Sequence, residues 1–193
     1  YSLFLQKLNK MKQSNTVILI AILMILAAAI SRVLIYPVSF SPLIAMSLFG
    51  GAVIQDKKLA FIIPLAAIFL SDVLFDLFNI APGFYGSAQA INYALLALVT
   101  GIGFFMKKIN VVNVAFFSII SCLVFFLFSN TAYFLLSNPA FGTYPQTFDG
   151  YIQSLIAGLP FLRASLISTG CFGVVFFGVY ALSERYILVK EVA

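Results

Sequence analysis

Residues 59–78 read LAFIIPLAAIFLSDVLFDLF, an apolar run of 20 residues in which Asp72 and Asp76 are the only charged side chains. A helix of about 20 residues is long enough to cross a hydrocarbon core of about 30 Å. The run therefore predicts a membrane-spanning helix. The two aspartates are four residues apart, so both carboxylates project from one face of that helix.

The composition of the whole chain also indicates a membrane protein. Of its 193 residues, 63% are hydrophobic and 9% are charged, and the mean hydropathy is +1.10. A soluble domain is usually about 25% charged. The apolar surface of a chain of this length exceeds what one water-soluble core can hide, so lipid is the expected solvent.

Polar and proline-containing breaks divide the chain into six predicted spans. The predicted fold class is all-α, a polytopic membrane protein that forms a single membrane domain over residues 1–193. The second span is too short to cross the membrane perpendicularly, and Gly50-Gly51-Ala52 near its end predicts the close approach of another helix. The spans are residues 16–35, 42–54, 59–78, 88–106, 112–136 and 164–186.

The last apolar region, residues 151–186, is longer than one span. Its 36 residues would reach about 54 Å as a single helix, nearly twice the hydrocarbon core. Proline removes a helical hydrogen bond, and Arg163 places a charge in the same region, so we expect a break at Pro160 and Arg163. Residues 151–159 are then predicted to form a short helix at the membrane interface.

Basic residues predict the orientation of the spans. With both termini in the cytoplasm, nine of the eleven lysines and arginines fall in cytoplasmic segments and none falls in an outer loop. This asymmetry is typical of a multi-pass protein of the bacterial inner membrane. The nine residues are Lys7, Lys10, Lys12, Lys57, Lys58, Lys107, Lys108, Arg185 and Lys190.

The other two basic residues, Arg32 and Arg163, are predicted near the outer ends of their helices, at about the depth of Asp72 and Asp76. A charge in lipid costs at least about 2.5–3.5 kcal/mol, so the four groups are expected to face the bundle interior and find partners. They form either the wall of a pocket for a small ligand or salt bridges that hold the bundle together. Arginines at the interface also reach water without any partner.

Uncharged polar residues are predicted near the same outer half. Single amides in membranes commonly bind a neighbouring helix, and tyrosines commonly form interface belts. As a group, they are also suited to line a mostly apolar pocket with a few polar contacts. They are Ser71, Gln89, Asn92, Ser129, Asn130 and Gln153, with Tyr36, Tyr85, Tyr93, Tyr133, Tyr144 and Tyr151.

Other classes of function have little support in the sequence. Histidine is absent, and Cys122 and Cys171 lie inside apolar runs, so neither a metal site nor a disulfide framework is predicted. No nucleophile motif accompanies the aspartates, no glycine loop carries the lysine of an ATP site, and no basic stripe suits nucleic acid. We therefore predict a protein that is not an enzyme, with no cofactor and no nucleic-acid partner.

Short motifs punctuate the apolar runs: Tyr36-Pro37-Val38-Ser39-Phe40-Ser41-Pro42, Leu48-Phe49-Gly50-Gly51-Ala52, Pro64-Leu65-Ala66-Ala67 with Ser71-Asp72, Ser129-Asn130, Tyr144-Pro145-Gln146-Thr147 and Pro160-Phe161-Leu162-Arg163. Over about residues 20–180 they resemble an uncharacterised bacterial family of six-helix transport proteins. That family resembles the substrate-binding S components of energy-coupling factor (ECF) transporters, which bind vitamins or metal ions near the outer face and are driven by a separate membrane subunit and ATPases. The resemblance implies functional roles for Asp72, Asn130, Tyr144 and Arg163.

Two hypotheses follow. The first is a transport protein of S-component type, which binds a small polar or vitamin-like solute at the outer face through Asp72, Asp76, Arg32 and Arg163 and works with other membrane subunits. The alternative is a noncatalytic accessory subunit of a larger inner-membrane complex. It is suggested by departures from the family pattern, with Tyr36-Pro37-Val38-Ser39 in place of His-Pro-Pro-Asn and Ser168-Thr169 in place of Gly-Asp.

Overall fold

The computed structural model describes residues 15–34, 40–137 and 142–192. These ranges form helices joined by short loops and turns. The motif at residues 36–39, and Lys7, Lys10 and Lys12 of the orientation pattern, lie outside the described residues. A π-helical turn, Tyr133–Ser137, follows the fifth helix directly. The helices are α1 (Asn15–Leu34), α2 (Leu43–Val53), α3 (Lys57–Leu77), α4 (Ser87–Gly103), α5 (Val111–Ala132) and α6 (Phe148–Val192).

The predicted break in the last apolar region is wrong. α6 runs without interruption for 45 residues, with Pro160 and Arg163 both inside it. One proline removes one backbone donor, and the turns on either side keep their own hydrogen bonds. The predicted interfacial helix, residues 151–159, is therefore the first part of α6 and not a separate element.

Three of the described helices are long and apolar enough to cross a membrane. They cover Lys57–Leu77, Val111–Leu136 and Phe148–Arg185. Three shorter apolar helices accompany them, at Ile18–Leu34, Leu43–Val53 and Ser87–Gly103. The chain is thus an all-helical protein whose longest helices are suited to a bilayer.

α2 lies at the centre of the packing. Nine of its eleven residues are buried, and it contacts every other helix. Phe49 packs against the rings of Phe176 and Phe177 of α6, with ring centroids 5.3 Å and 5.2 Å apart. A helix that is apolar all round is typical of the interior of a bundle, so the shortest helix is also the one most enclosed by protein.

Glycines allow α2 to touch its neighbours. A methyl group on Gly51 would lie 2.0 Å from the carbonyl oxygen of Thr100, and one on Gly103 would lie 2.6 Å from that of Leu48. Gly50 meets the ring of Pro64 in the same way, at 2.5 Å. The predicted close approach at Gly50-Gly51 is therefore confirmed, and α4 and α3 are the helices that approach.

Local hydrogen bonds set the ends of α3, which carries both aspartates. Asp56 caps its start, because the side-chain oxygen accepts from the backbone N–H groups of Lys58 and Leu59 at 2.8 Å and 3.0 Å. Beyond its end, Asn79 adopts a left-handed conformation with φ of 52°, and the N–H of Ile80 bonds back into the last turn. The chain is thereby directed back over α3 on its way to α4.

Candidate functional site

Asp72 lies where α1, α3 and α4 meet. Its side chain is 2% exposed, and Arg32 of α1 forms an ion pair with Oδ1 through Nη1. On the other side, Oδ2 accepts from the hydroxyl of Tyr93 at 2.7 Å and from Nε2 of Gln89 at 3.1 Å. Together with Ser71, which accepts from the same Nη1 at 2.7 Å, these residues form what we call the Asp72 network.

The guanidinium of Arg32 has an apolar partner as well. Its central carbon lies 4.6 Å from the centroid of the Phe75 ring, a cation–π contact one turn along α3 from Ser71. The hydroxyl of Ser71 in turn donates to the carbonyl oxygen of Ile68 at 2.7 Å. Arg32 is therefore fixed between a carboxylate, a hydroxyl and a ring that all belong to α3.

The loop after α3 covers this network. Gln89 donates not only to Asp72 but also to the carbonyl oxygen of Gly83 at 2.9 Å. Gly83 packs so closely that a methyl group there would lie 2.0 Å from the backbone oxygen of Asp72. Both carboxylate oxygens of Asp72 thus accept hydrogen bonds, and the network joins three helices through one buried group.

The four charges predicted to gather do not form one cluster. Arg32 and Asp72 pair, whereas Asp76 is exposed at the end of α3 and Arg163 is exposed on α6. Within the described ranges, neither Asp76 nor Arg163 has an ion pair. Arg163 lies inside the uninterrupted α6, so the break that was expected to place it at the depth of the other charges is not present.

A separate cavity of about 260 Å³ lies between α4 and α5. Four polar side chains contribute to its wall, and Asn92 donates to the hydroxyl of Tyr85 at 3.0 Å. No lining residue is charged. The polar residues are Tyr85, Asn92, Ser129 and Tyr133, and the apolar ones are Ala88, Ile91, Leu95, Phe125 and Ala132.

α4 connects the network and the cavity through two of its faces. Gln89 and Tyr93, four residues apart, contact Asp72, whereas Ala88, Asn92 and Leu95 line the cavity on the side of α5. The faces are adjacent on the same two turns of helix. The Asp72 network therefore fixes the part of α4 that forms one wall of the cavity.

The two remaining predicted site residues lie outside this cavity. The amide of Asn130 donates to the carbonyl oxygen of Phe126 at 2.8 Å, and Gly158 of α6 packs against its oxygen. Tyr144 is half-buried in the segment before α6. Asn130 therefore lies at the contact between α5 and α6.

The sequence placed all four polar cavity residues in one larger group suited to line a pocket, but it did not separate them from the polar residues that lie elsewhere. A signal was present, because Ser129 and Tyr133 are four residues apart on an apolar helix and so share a face. Which face of α4 they meet depends on how each helix is rotated about its axis, and the sequence does not specify that rotation.

Comparison with known proteins gives one family. The model of DUF6580, a family of unknown function, matches residues 12–190. The match includes the Asp72 network and the cavity between α4 and α5. No match was found among curated proteins or among solved structures.

Proposed function

We infer that this chain, which belongs to the DUF6580 family, is a multi-pass transport protein of the bacterial inner membrane that binds a small polar solute at its outer face. In this proposal the chain crosses the membrane six times, with both termini in the cytoplasm. The helix α2 is too short to cross alone, so the residues before and after it form the rest of that crossing. The chain acts as a binding component of S-component type, catalyses no reaction, and depends on another membrane subunit for energy.

The observation that carries the proposal is the cavity between α4 and α5. Residues with hydroxyl and amide groups form part of its otherwise apolar wall, which is the usual composition of a small-molecule site. Because no charged residue lines it, a neutral polar solute fits better than an ion. Its volume of about 260 Å³ lies just below the common range of about 300–1,000 Å³, which favours a small solute over a large vitamin.

The predicted charged residues take supporting roles in this proposal. Arg32 and Asp72 are positioning residues, because they hold Gln89 and Tyr93 and thereby fix the face of α4 that carries Asn92. Asn92 is the residue we expect to contact the solute, since its amide oxygen accepts no hydrogen bond from any described residue and its amide nitrogen bonds the Tyr85 hydroxyl.

The proposal is tested by blocking the cavity. The full chain is purified and screened by native mass spectrometry for a bound small molecule and for binding of neutral polar solutes. Ala88→Phe places a ring in the cavity and is expected to abolish binding. Ala90→Phe adds the same ring to an exposed position of the same helix outside the cavity, and should leave binding unchanged.

A finer variant tests the solute contact. Asn92→Ala removes one hydrogen-bonding group and should weaken binding by up to about tenfold. Asn113→Ala removes an amide that bonds the Lys108 carbonyl at the other end of α5, and is the matched control. Undiminished binding in Ala88→Phe would refute the cavity as the site.

Arg163 favours a second candidate function, that of a noncatalytic subunit of a larger membrane complex. It is exposed within a long apolar helix and forms no hydrogen bond or ion pair with any described residue. A cation in that position is stabilised if a partner supplies an acidic group. Purification from native membranes in mild detergent separates the two candidates: a stoichiometric complex that Arg163→Ala dissociates would indicate the subunit, and a monomer with a bound solute would indicate the transport component.

A further inference from the structure

A second opening, between α5 and α6, differs from the solute cavity in its lining. It is a groove of about 630 Å³ whose walls are almost wholly apolar. Gly170 and Gly178 leave it wide, because a methyl group on either would meet nothing within 4 Å. The α5–α6 groove, as we call it, is lined among others by Val114, Ser118 and Cys122 of α5 and by Gly170, Val174 and Gly178 of α6.

The two helices of the groove run antiparallel. The thiol of Cys122 donates to the hydroxyl of Thr169 at 3.3 Å, and one turn earlier on α5 Ser118 faces Gly173 on the following turn of α6. Residues nearer the start of α5 therefore contact residues nearer the end of α6. The groove follows this seam to the beginning of α5.

Basic residues surround that end of the groove. The lining ends at Ile109 and Asn110, just before α5, and at Ala181 of α6. Lys107 and Lys108 are exposed directly before Ile109, and Arg185 is exposed one turn beyond Ala181, on the same face of α6. Three cations thus lie next to the residues that end an apolar groove.

Little negative charge opposes these cations. Glu184, the neighbour of Arg185, already accepts a hydrogen bond from the hydroxyl of Tyr180 at 2.7 Å. The mouth therefore has a net positive charge among the described residues. Basic pockets between membrane helices are suited to phospholipids with anionic headgroups, and polybasic segments beside a membrane gain about fivefold in affinity for each lysine or arginine.

We propose that the α5–α6 groove binds one anionic phospholipid, with an acyl chain between the helices and the headgroup phosphate at Lys107, Lys108 and Arg185. The apolar wall matches the chain, and the cations at one end match the phosphate. A protein helix would fill the groove without any need for three cations at its mouth. The proposal does not rest on solute binding, because the groove and the α4–α5 cavity share no lining residue.

The test compares two lipids that differ only in headgroup charge. The full chain in detergent is titrated with phosphatidylglycerol or with phosphatidylcholine of the same acyl chains, and bound lipid is counted by native mass spectrometry. Wild-type protein should prefer phosphatidylglycerol. The triple variant Lys107→Ala, Lys108→Ala and Arg185→Ala should lose about a hundredfold in affinity for phosphatidylglycerol and little for phosphatidylcholine.

Two further variants separate the headgroup from the acyl chain. Gly170→Leu with Gly178→Leu fills the groove from positions with open space, so it should weaken both lipids without unfolding the protein. Lys57→Ala with Lys58→Ala removes basic residues at the start of α3, which lines no part of the groove, and should leave the preference for phosphatidylglycerol intact.

Three results would overturn the proposal. The first is equal affinity of the wild-type chain for the two lipids. The second is full phosphatidylglycerol binding in the groove-filled variant, which would place the lipid elsewhere. The third is efficient cross-linking of two chains through Val174→Cys in a lipid bilayer, which would assign the groove to a second copy.

Discussion

The Asp72 network and the α5–α6 groove are two helix contacts of opposite character. At the network, three helices close around one carboxylate, and both of its oxygens are bonded. At the groove, two helices touch along small side chains and leave about 630 Å³ open. A buried charge is costly unless every partner is in place, whereas apolar walls lose little when lipid fills the gap. At the Asp72 network, polar partners therefore determine how closely the three helices must pack.

The largest effect is expected from breaking the ion pair. Arg32→Met leaves the carboxylate of Asp72 buried without its counter-charge and should lower the free energy of unfolding by about 3–5 kcal/mol. Asp72→Leu should cost less, because the Arg32 side chain is 16% exposed and can reach water. Equilibrium unfolding in mixed micelles with sodium dodecyl sulfate measures both.

The double variant is the control for this prediction. Arg32→Met combined with Asp72→Leu removes both charges and should recover most of the stability, as apolar replacements of buried pairs often do. If Arg32→Met alone is as stable as wild type, the carboxylate is not enclosed, and the network is then no more closed than the groove.

A smaller loss is expected from removing one bond to the same carboxylate. Tyr93→Phe deletes the hydroxyl that donates to Asp72 at 2.7 Å, and a hydrogen bond to a charged group contributes about 1.5–3 kcal/mol. Tyr85→Phe deletes a hydroxyl at an exposed, uncharged contact with Asn92 and should cost at most about 1.5 kcal/mol. Equal losses in the two variants would mean that the charge of Asp72 does not strengthen its bonds.

The next prediction concerns the close contact of α2 with α4. Gly51→Ala forces a methyl group against the backbone of Thr100, so the helices must separate, at about 1–3 kcal/mol. Gly101→Ala adds a methyl group where nothing lies within 4 Å and is the matched control, expected to be neutral or stabilising. Thermal unfolding of the two variants side by side measures the difference.

The sequence predicted most of the helices because apolar length and polar breaks are local signals. Five of the six helices begin and end within a few residues of the predicted spans. The sixth differs because the effect of Pro160 was overestimated. The local sequence shows the missing donor, but α6 contacts α5 on both sides of it, through Tyr151 before and Thr169 after. The number of crossings and the side on which the termini lie stay predictions.

The candidate site was only partly predictable. Because a charge in lipid is costly, the sequence predicted that Asp72 has partners, and Arg32 is one of them. Depth alone did not distinguish Arg32 from Arg163, because two residues at similar depth meet only if their helices are neighbours with suitable rotation. Those are long-range properties of the bundle. For the same reason, the sequence did not predict which members of the larger polar group meet in the α4–α5 cavity.

The smallest change in stability is expected from glycine substitutions in the groove. It tests whether the groove is open, in contrast to the closed Asp72 network. Gly170→Ala or Gly178→Ala adds a methyl group into open space and restricts the unfolded chain, so each should stabilise the protein by about 0.5–1 kcal/mol. Gly51→Ala is the matched opposite, with the same chemical change at a closed contact. If Gly170→Ala destabilises as strongly as Gly51→Ala in the same unfolding assay, the α5–α6 seam is closed in the membrane, and a lipid chain has no place between these helices.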